Sequence, residues 1–255
     1  MRRIAITRAV SRAMQRCELT HLQRREIDLD LARAQHAAYE QALRDAGCEV
    51  LQLPEQPGLA DSVFVEDTAV VLDELAVLTH PGAQSRRGEI DSMAQALAPF
   101  RELRRIDAPG TLDGGDVLRL GRTIHVGASS RSNAEGIERL RRQVAPFGYD
   151  VRAVPLRGCL HLKSAATPVA PDLLLVNPDW VDASHFGGHR TLAVDESEPF
   201  AANAILIGDA LLYSASFPKT AERLRRAGID VRLVEMSETE KAEGAMTCCS
   251  VIVEI

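Results

Sequence analysis

Two adjacent cysteines near the end of the sequence are its clearest sign of chemistry. Cys248 and Cys249 follow a polar turn and precede a short strand of β-branched residues, so their sulfur atoms belong to the end of a rigid element. His161 and the acidic pair Glu66–Asp67 lie far from them in the sequence. Cysteine, histidine and carboxylates that are distant in sequence are typical of enzymes with a thiol nucleophile.

The carboxylates indicate which kind of carbon such a thiol would attack. Negative charge around a cysteine raises its pKa, so several acids around a neutral substrate would hinder a thiolate. Around a cation they are useful, because paired carboxylates hold a planar guanidinium by its fork of N–H groups and expose its central carbon. The positive substrate also favours the thiolate. Cysteine, histidine and paired acids therefore indicate a guanidine substrate.

Each of these residues also has an ordinary structural explanation. A cysteine such as Cys248 on an apolar strand is most often a small core residue. His161 lies between two leucines and would suit a buried histidine, and the segment Asp113-Gly114-Gly115-Asp116 is typical of a turn. Glu66–Asp67 is less ordinary, because two acids at a strand junction seldom lack a partner. The residues form a specific signal only if the fold brings them together.

The chain repeats one pattern that would do so. A polar or acidic residue opens a short apolar strand, a tight turn follows, and a second strand completes a hairpin. These openings are separated by 49, 48, 39 and 47 residues and stand at Asp67, Asp116, Ser164, Asn203 and Ser250. Periods of roughly 20–50 residues indicate repeated supersecondary units that bury a shared core.

Helical segments complete most of the units. The sequence predicts helices over residues 31–46, 86–100, 133–145 and 219–227. Five ββαβ-like units would close into a ring, with the first strand of each unit facing the axis of the ring. The residues that open these inner strands then meet at one rim, which unites Cys248, His161, Asp67 and Asp113. A generic α/β domain with coincidental spacing is the alternative.

Composition and charge narrow the class of protein. The chain has 255 residues, 45% hydrophobic and 26% charged, as in ordinary globular proteins, and we expect a single catalytic domain over residues 1–255. Its net charge of −6 and its scattered arginine pairs predict no nucleic-acid partner. No apolar run approaches the roughly 18 residues of a membrane span, so we expect no membrane partner.

Cysteine usage and the first residues predict the compartment. The five cysteines are odd in number and match no secreted disulfide framework. The N-terminal segment has the pattern of a strand rather than of a signal peptide. We therefore expect a cytoplasmic protein with reduced thiols, and whether it forms a homodimer stays open.

Six segments resemble the motifs of one family. They are 61–67 (DSVFVED), 81–87 (PGAQSRR), 111–117 (TLDGGDV), 131–133 (RSN), 160–164 (LHLKS) and 247–251 (TCCSV). On these motifs, in one register from about residue 4 onward, the chain resembles the dimethylarginine dimethylaminohydrolase family of the guanidine-modifying (pentein) superfamily. The resemblance implies a five-bladed α/β propeller. It also implies hydrolysis of asymmetric dimethylarginine or monomethylarginine to citrulline and dimethylamine or methylamine.

The resemblance implies covalent catalysis by three residues. Cys248 matches the nucleophile, and Cys249 is its non-catalytic neighbour. His161 matches the general acid and base, and Asp113 matches the carboxylate that orients it. Some bacterial relatives have glutamate at the position of Asp113, so the shorter side chain moves the carboxylate slightly. Neither a metal ion nor an organic cofactor is implied.

The resemblance also implies a substrate-binding set. Asp67 would grip the guanidinium, with Glu66 and Asp61 in the same pocket. Arg86 and Arg131 would bind the α-carboxylate of a free amino acid.

Two further parts of the site match the family less well. Leu19 corresponds to a leucine on a mobile lid, but the sequence around it matches poorly. The backbone around Ala242 and Glu243 would contact the α-amino group of the substrate. Glu243 stands where an aspartate is expected, and a backbone contact survives that change.

Three other functions stay open. A deiminase of the same superfamily would act on free arginine and release ammonia. A non-catalytic guanidine or amino-acid binding protein would keep the fold, although the intact set of Cys248, His161 and Asp113 argues against it. A metal hydrolase built on the acidic residues would lose activity with a chelator.

Overall fold

Fifteen strands form five small sheets in the part of the chain that the structure describes. The structure is a computed structural model and describes residues 2–255, so Met1, where the predicted catalytic domain begins, lies outside the described residues. The strands are β1 Arg3–Arg8, β2 Cys48–Leu53, β3 Ala69–Val71, β4 Leu75–Leu78, β5 Glu102–Arg105, β6 Val117–Leu120, β7 Thr123–Ala128, β8 Asp150–Pro155, β9 Ala166–Ala170, β10 Leu173–Val176, β11 Arg190–Ala193, β12 Ala204–Ile207, β13 Ala210–Ser214, β14 Val231–Val234 and β15 Val251–Glu254. The helices are α1 Leu29–Asp45, α2 Ile90–Leu97, α3 Ala134–Val144, α4 Leu162–Ala165, α5 Pro218–Arg226 and α6 Ser237–Glu240.

Each sheet is one blade with the same topology. Blade 1 contains β3–β5, blade 2 contains β6–β8, blade 3 contains β9–β11 and blade 4 contains β12–β14. In each, the first two strands form an antiparallel hairpin, and the third strand pairs parallel with the second. A parallel partner requires a crossover connection, and a helical segment supplies it. This is the ββαβ unit that the repeat predicted.

The two ends of the chain meet in blade 5. Strand β15 pairs antiparallel with β1, so that Ile4 lies opposite Val253 and Ile6 lies opposite Val251, and β2 pairs parallel with β1. All four residues are buried in a cluster that blade 5 shares with blade 1. The last strand of the chain thus serves as the first strand of this blade, which closes the ring.

Local signals explain where the longer helices begin and end. Helix α1 starts after Asp28, whose carboxylate accepts hydrogen bonds from the N–H groups of Asp30 and Leu31. Helix α5 begins with Pro218, and Gly228 follows its end with a φ of +84°, which a residue without Cβ adopts easily.

Two helical segments differ from the other crossovers. The segment predicted over 86–100 begins as a 3-10 helix, Gln84–Glu89, and continues as α2. Blade 3 has a 3-10 turn, Ala183–Phe186, between its second and third strands, in keeping with its short step of 39 residues. None of the helices within residues 2–255 combines the length and the apolar character that crossing a lipid bilayer requires.

The hydrophobic core consists of clusters between neighbouring blades. Between blades 1 and 2, for example, Val70 packs in one cluster with Val117. Burying an aliphatic side chain of this size stabilises the fold by about 1.5–3 kcal/mol. The cluster between blades 4 and 5 also contains Met246 and Cys249, so the turn that precedes β15 packs directly on the core.

A channel of about 260 Å³ runs between the inner strands β3, β6, β9, β12 and β15. Its walls are apolar along the strands. One end of the channel is closed by the residues that precede these strands, among them Glu66, Lys163 and Thr247. The propeller therefore holds the predicted site residues at this end of its axis.

Candidate active site

The predicted catalytic residues occupy equivalent positions in different blades. Asp67, Asp113, His161 and Cys248 each lie in or next to a short helical turn, immediately before β3, β6, β9 and β15 respectively. Three of them line one cavity, and Asp113 contacts His161. Residues up to 181 positions apart in sequence are thereby brought together by the blade repeat.

The imidazole of His161 lies between two carboxylates. Its Nε2 is 3.2 Å from Oδ2 of Asp113 and 3.9 Å from Oδ1 of Asp67. Burial alone lowers the pKa of His161, but the charge of Asp67 and the hydrogen bond with Asp113 outweigh it and raise the pKa to about 9. The imidazolium is the main form at neutral pH, which suits a residue that donates a proton to a leaving amine.

Two glycines allow this close approach. A Cβ at Gly115 would lie 2.6 Å from Nδ1 of His161 and 2.8 Å from Oδ1 of Asp67, and a Cβ at Gly114 would overlap the carbonyl oxygen of Glu66. The N–H of Gly115 donates to Oδ1 of Asp67 at 2.9 Å. The glycine pair is therefore more than a turn: it makes room for the imidazole and the carboxylate.

A buried arginine holds Asp67 from the other side. Nη1 of Arg86 donates to Oδ2 of Asp67, while Nε and Nη2 donate to the two oxygens of Glu89 at 3.2 and 2.8 Å. Nη2 also donates to the carbonyl oxygens of Asp61 and Phe64. Arg86 and its two acidic partners are almost fully buried, so this is an internal ion-pair network.

The network keeps Asp67 charged. Burial would raise the pKa of this carboxyl, but the positive charges of His161 and Arg86 lower it to about 2. In this geometry, the N–H groups of Arg86 donate their hydrogen bonds to acceptors of the protein itself. Its predicted contact with a substrate carboxylate thus stays a prediction, and it would require Arg86 to share its donors.

The two cysteines differ in their surroundings. Cys248 is half-buried and lines the cavity, whereas Cys249 is fully buried in the core. Helix α1 supports their turn, because the hydroxyl of Tyr39 donates to the carbonyl oxygen of Met246 at 3.0 Å and lies 2.7 Å from Oγ of Ser250. The turn is held on both sides of Cys248.

The thiol of Cys248 is neutral in the free protein. Burial raises its pKa well above the ordinary value, and the negative charges of Glu66 and Asp67 raise it further. A cation in the cavity would offset both effects. This agrees with the expectation that the substrate itself helps to form the thiolate.

Glu66 lies behind the nucleophile rather than in the cavity. Its carboxylate accepts hydrogen bonds from Nζ of Lys163 at 2.6 Å and from Oγ1 of Thr247 at 2.7 Å, and it faces the axial channel. Its predicted contact with substrate stays a prediction. Sequence reasoning assigned no role to Lys163, although a lysine two residues from His161 and an acid in need of a partner were both visible.

A loop between residues 17 and 28 covers the cavity. Both oxygens of Asp61 accept the N–H of Glu18 at 3.2 Å, and Nη2 of Arg131 donates to Oγ1 of Thr20 at 3.2 Å. Leu19, the predicted lid residue, packs partly buried against the core and does not line the cavity.

Glu243 fastens the same loop by three hydrogen bonds. Its carboxylate accepts the N–H groups of Thr20, His21 and Leu22 at 2.5–3.0 Å. The backbone of Glu243 has a φ of +58°, which lies in the left-handed region that residues other than glycine rarely adopt. The glutamate side chain thus contacts the lid, in addition to the predicted backbone role of its segment.

The covered cavity has a volume of only about 20 Å³, which is room for about one water molecule. An amino acid can enter only when the loop moves away. Eight of the predicted site residues line this cavity together with four that the sequence did not single out. The eight are Asp61, Asp67, Arg86, Arg131, His161, Ala242, Glu243 and Cys248, and the four are Glu18, Phe64, Leu160 and Gly244.

Two of the additional lining residues could have been predicted from the sequence. Phe64 and Leu160 stand inside the recognised motifs, each close to a catalytic residue. Gly244 is explained only by packing, because a Cβ there would overlap the ring of Phe64. A second cavity, of about 480 Å³, lies beyond the wall made by Leu160, Glu243 and Gly244.

The acidic residues and the histidine could also hold a cation. One ligand atom each from Asp67, Asp113 and His161 lies within 4.8 Å of the others. Carboxylate oxygens with one imidazole suit several divalent ions. Because the pKa of His161 is about 9, such an ion would have to displace a proton at neutral pH.

A cysteine, an imidazole and a charged carboxylate at one end of a five-bladed α/β propeller define a guanidine-modifying hydrolase. A family model described as "N,N dimethylarginine dimethylhydrolase, eukaryotic" matches residues 7–195. The N(G),N(G)-dimethylarginine dimethylaminohydrolase of Streptomyces coelicolor is 42% identical over 235 residues, which cover 91% of this chain and 90% of that protein. The chain belongs to the dimethylarginine dimethylaminohydrolase family.

Further relatives agree with this assignment. The Pseudomonas aeruginosa enzyme of the same name is 34% identical over 87% of this chain and 89% of its own length. Its solved structure with citrulline superposes with a TM-score of 0.94, at 31% identity, over 99% of this chain and 100% of that chain. The N-terminal domain of a cyanobacterial arginine dihydrolase, at 20% identity and a TM-score of 0.88, shares the fold over 100% of this chain and 98% of its own. The predicted family and propeller fold are confirmed.

Proposed function

We propose that the protein hydrolyses asymmetric dimethylarginine and monomethylarginine to citrulline and dimethylamine or methylamine. The observation that carries the proposal is the meeting of Cys248, His161 and Asp67 at one cavity, with the imidazolium between two carboxylates. The names of the two bacterial dimethylaminohydrolases quoted above support the same reaction.

The charges favour a cationic substrate. Asp67 is ionised and faces the cavity, and it can accept hydrogen bonds from a guanidinium in the plane of its nitrogens. A bound guanidinium places a positive charge beside Cys248 and lowers the pKa of the thiol. A neutral substrate would leave the thiol protonated among carboxylates.

When the bound guanidinium lowers the pKa of Cys248, the thiol releases its proton to solvent, and in the first half-reaction the thiolate attacks the central guanidinium carbon. The protonated His161 gives its proton to the dimethylamino nitrogen, and the carbon–nitrogen bond breaks. Dimethylamine leaves, and a cationic thiouronium group remains bound to the sulfur. Asp113 and Asp67 hold the imidazolium in place for this transfer.

In the second half-reaction, the neutral His161 takes a proton from water, and the oxygen adds to the thiouronium carbon. The carbon–sulfur bond then breaks, which releases citrulline and restores the thiolate and the imidazolium. The remaining hydroxyl proton of the adduct passes to solvent, which balances the proton that the released dimethylamine takes up there to become dimethylammonium. The same two residues therefore serve both steps, with His161 first as acid and then as base.

The remaining predicted residues bind the amino-acid end of the substrate in this proposal. Arg131 lies at the mouth of the cavity under Thr20 of the lid, where a carboxylate could replace the hydroxyl. Arg86 would share its guanidinium with the same carboxylate. The carbonyl groups of the Ala242–Glu243 segment would accept hydrogen bonds from the α-amino group.

The test is to incubate the protein separately with asymmetric dimethylarginine and with arginine, with and without a chelator, and to measure citrulline. We expect citrulline from the methylated substrate, with no effect of the chelator. If citrulline formed from arginine but not from asymmetric dimethylarginine, the protein would be a deiminase instead. Citrulline from neither would favour a binding protein, and loss of activity with the chelator would favour a metal hydrolase.

We further propose that residues 1–255 act as a single catalytic domain in the cytoplasm, with a small molecule and no nucleic acid as partner. A reducing compartment keeps thiols reduced, and none of the five cysteines forms a disulfide. The acidic net charge of −6 opposes binding to a polyanion. Light scattering of the purified protein would show whether it is a monomer or a homodimer.

A further inference from the structure

Asn203 contacts both segments that carry catalytic groups. Its side chain is 4% exposed, and its Oδ1 accepts the N–H of Thr247 at 2.9 Å. Its Nδ2 donates to Oγ1 of Thr247 at 3.0 Å and to the carbonyl oxygen of Lys163 at 2.9 Å. Thr247 precedes Cys248, and Lys163 follows His161 by two residues. One amide group therefore joins the nucleophile segment to the acid–base segment.

We infer that Asn203 is a positioning residue that sets the separation of Cys248 and His161 for the proposed hydrolysis, on which this inference rests. Asn203 does not line the catalytic cavity, so it acts through its neighbours rather than on the substrate. His161 precedes blade 3 and Cys248 precedes blade 5, and Asn203 opens blade 4 between them. It stands where one side chain can reach both.

The orientation of the amide follows from its partners. The N–H of Thr247 can only donate and the carbonyl of Lys163 can only accept, so the oxygen and nitrogen of Asn203 have one arrangement. Both N–H groups and the oxygen of the amide are used. Replacing the side chain would leave two buried backbone groups without this partner.

Asn203 is also one member of a closed loop of hydrogen bonds. The hydroxyl of Thr247 donates to Oε2 of Glu66 at 2.7 Å, and Oε1 of Glu66 accepts from Nζ of Lys163 at 2.6 Å. Lys163 returns to Asn203 through its carbonyl oxygen. A closed loop resists shear between its segments better than a single contact, because moving one segment strains several bonds together.

The consequence belongs to catalysis rather than to binding. A nucleophile must be held within about 0.5 Å of its productive position, and a displacement of about 1 Å can cost about 10²-fold in rate. Asp67 and Arg131, which are among the residues proposed to bind the substrate, form no hydrogen bond with Asn203. Loss of the amide should therefore lower kcat and leave KM nearly unchanged.

The experiment compares Asn203→Ala with Asn177→Ala. Asn177 is also buried, at 2% exposure, and its side chain donates to the carbonyl oxygen of Pro199 at 2.8 Å and accepts the N–H of Asp179 at 3.0 Å. It contacts neither catalytic segment through its side chain. Both variants lose a buried amide of equal size, so both should lower the melting temperature. They differ because only the amide of Asn203 holds the two catalytic segments together.

We expect Asn203→Ala to lower kcat for asymmetric dimethylarginine about 10²-fold, with KM within about threefold of the wild-type value, and Asn177→Ala to keep kcat. Hydrogen exchange at the Thr247 amide should accelerate in Asn203→Ala alone. An equal kcat in the two variants would overturn the inference.

Two outcomes need separate treatment. If Asn203→Ala does not fold, Thr247→Val opens the same loop and should lower kcat, and an unchanged kcat would again overturn the inference. If the wild-type protein releases no citrulline from methylated arginine, the proposed function fails instead. The exchange rate at Thr247 then still decides whether Asn203 holds the segment: acceleration supports the clamp, and no change contradicts it.

Discussion

Cys248 and Cys249 are neighbours in sequence with opposite surroundings in the fold. The turn before β15 directs the sulfur of Cys248 to the cavity and packs Cys249 among core residues that include Met246. The acids near Cys248 raise its pKa, which is unfavourable for a nucleophile until a cation arrives. In the proposed mechanism, the neutral thiol of the free enzyme is therefore a weak nucleophile, and bound substrate lowers its pKa.

The first prediction separates the two cysteines. Cys248→Ser should reduce citrulline formation to background, because serine in this acidic surrounding is a far weaker nucleophile. Cys249→Ser should keep kcat within about threefold and lower the melting temperature, because it places a hydroxyl in an apolar core. Steady-state kinetics and thermal unfolding of both variants check this. An inactive Cys249→Ser beside an active Cys248→Ser would reverse the assignment.

At this scale, the reacting groups could be predicted from the sequence, but not all of their partners could. Cys248, His161 and Asp67 stand in recognisable motifs, so their types and positions could be read directly. The pairing of Arg86 with Glu89 and the position of Glu66 behind the nucleophile could not. Which of several acids a cation contacts depends on distances of a few ångströms, and the sequence does not contain those distances.

At the scale of elements, four of the five inner strands are each tied to the next blade by a polar side chain near the start of the strand. In each case this side chain accepts the backbone N–H of a residue in the opening of the following blade. The pairs are Asp67 with Gly115, Asp116 with Leu162, Thr167 with Ala204, and Asn203 with Thr247. The turns that carry the catalytic groups are therefore cross-linked around the axis, which fixes the site more rigidly than the short strands alone would.

The loop over the cavity must move before a substrate can enter, and the carboxylate of Glu243 holds this loop by hydrogen bonds. Glu243→Ala should speed hydrogen exchange at the amides of Thr20, His21 and Leu22 by at least about tenfold, because three N–H groups lose a charged acceptor. Hydrogen exchange followed by mass spectrometry of this segment measures the effect. Glu243→Asp keeps the charge and should give an intermediate rate.

The activity of these two variants adds a functional criterion. If loop opening limits product release, Glu243→Ala should raise KM and leave kcat equal or higher, because a loose lid binds substrate less well and lets citrulline leave sooner. Unchanged exchange at all three amides in Glu243→Ala would show that the carboxylate does not hold the loop.

At the scale of the whole molecule, the propeller could be predicted from spacing, and its closure could not. The hairpins near Asp67, Asp116 and Asn203 have local signals, namely a polar opening, alternating apolar residues and a tight turn. Pairing of β15 with β1 joins residues about 250 positions apart, such as Ile4 and Val253, and no local pattern specifies such a register. The pairing of β15 with β1 is suggested only by the need to cover the apolar inner strand of the last unit.

The buried charge at the centre of the ring also makes the stability of the whole molecule depend on pH. The pKa of His161 is about 9 in the folded protein and about 6.5 in an unfolded chain. A raised pKa contributes stability that is fully present below pH 6.5 and is lost as the pH rises through 9. Between pH 7 and pH 8.5, the contribution of His161 to the free energy of unfolding should fall by about 2 kcal/mol, with a slope of at most about 1.36 kcal/mol for each pH unit.

Urea unfolding of the wild-type protein and of His161→Gln over this interval isolates the effect. His161→Gln should be less stable at pH 7, because Asp67 and Asp113 lose the cation between them, and its stability should fall by about 2 kcal/mol less than that of the wild type across this window. Thiols of the unfolded chain ionise near pH 8.5 and lower the stability of both proteins alike, so the difference between the two proteins isolates His161. Equal slopes in the two proteins would mean that His161 is neutral when folded, and the proton donor of the first half-reaction would have to be another group.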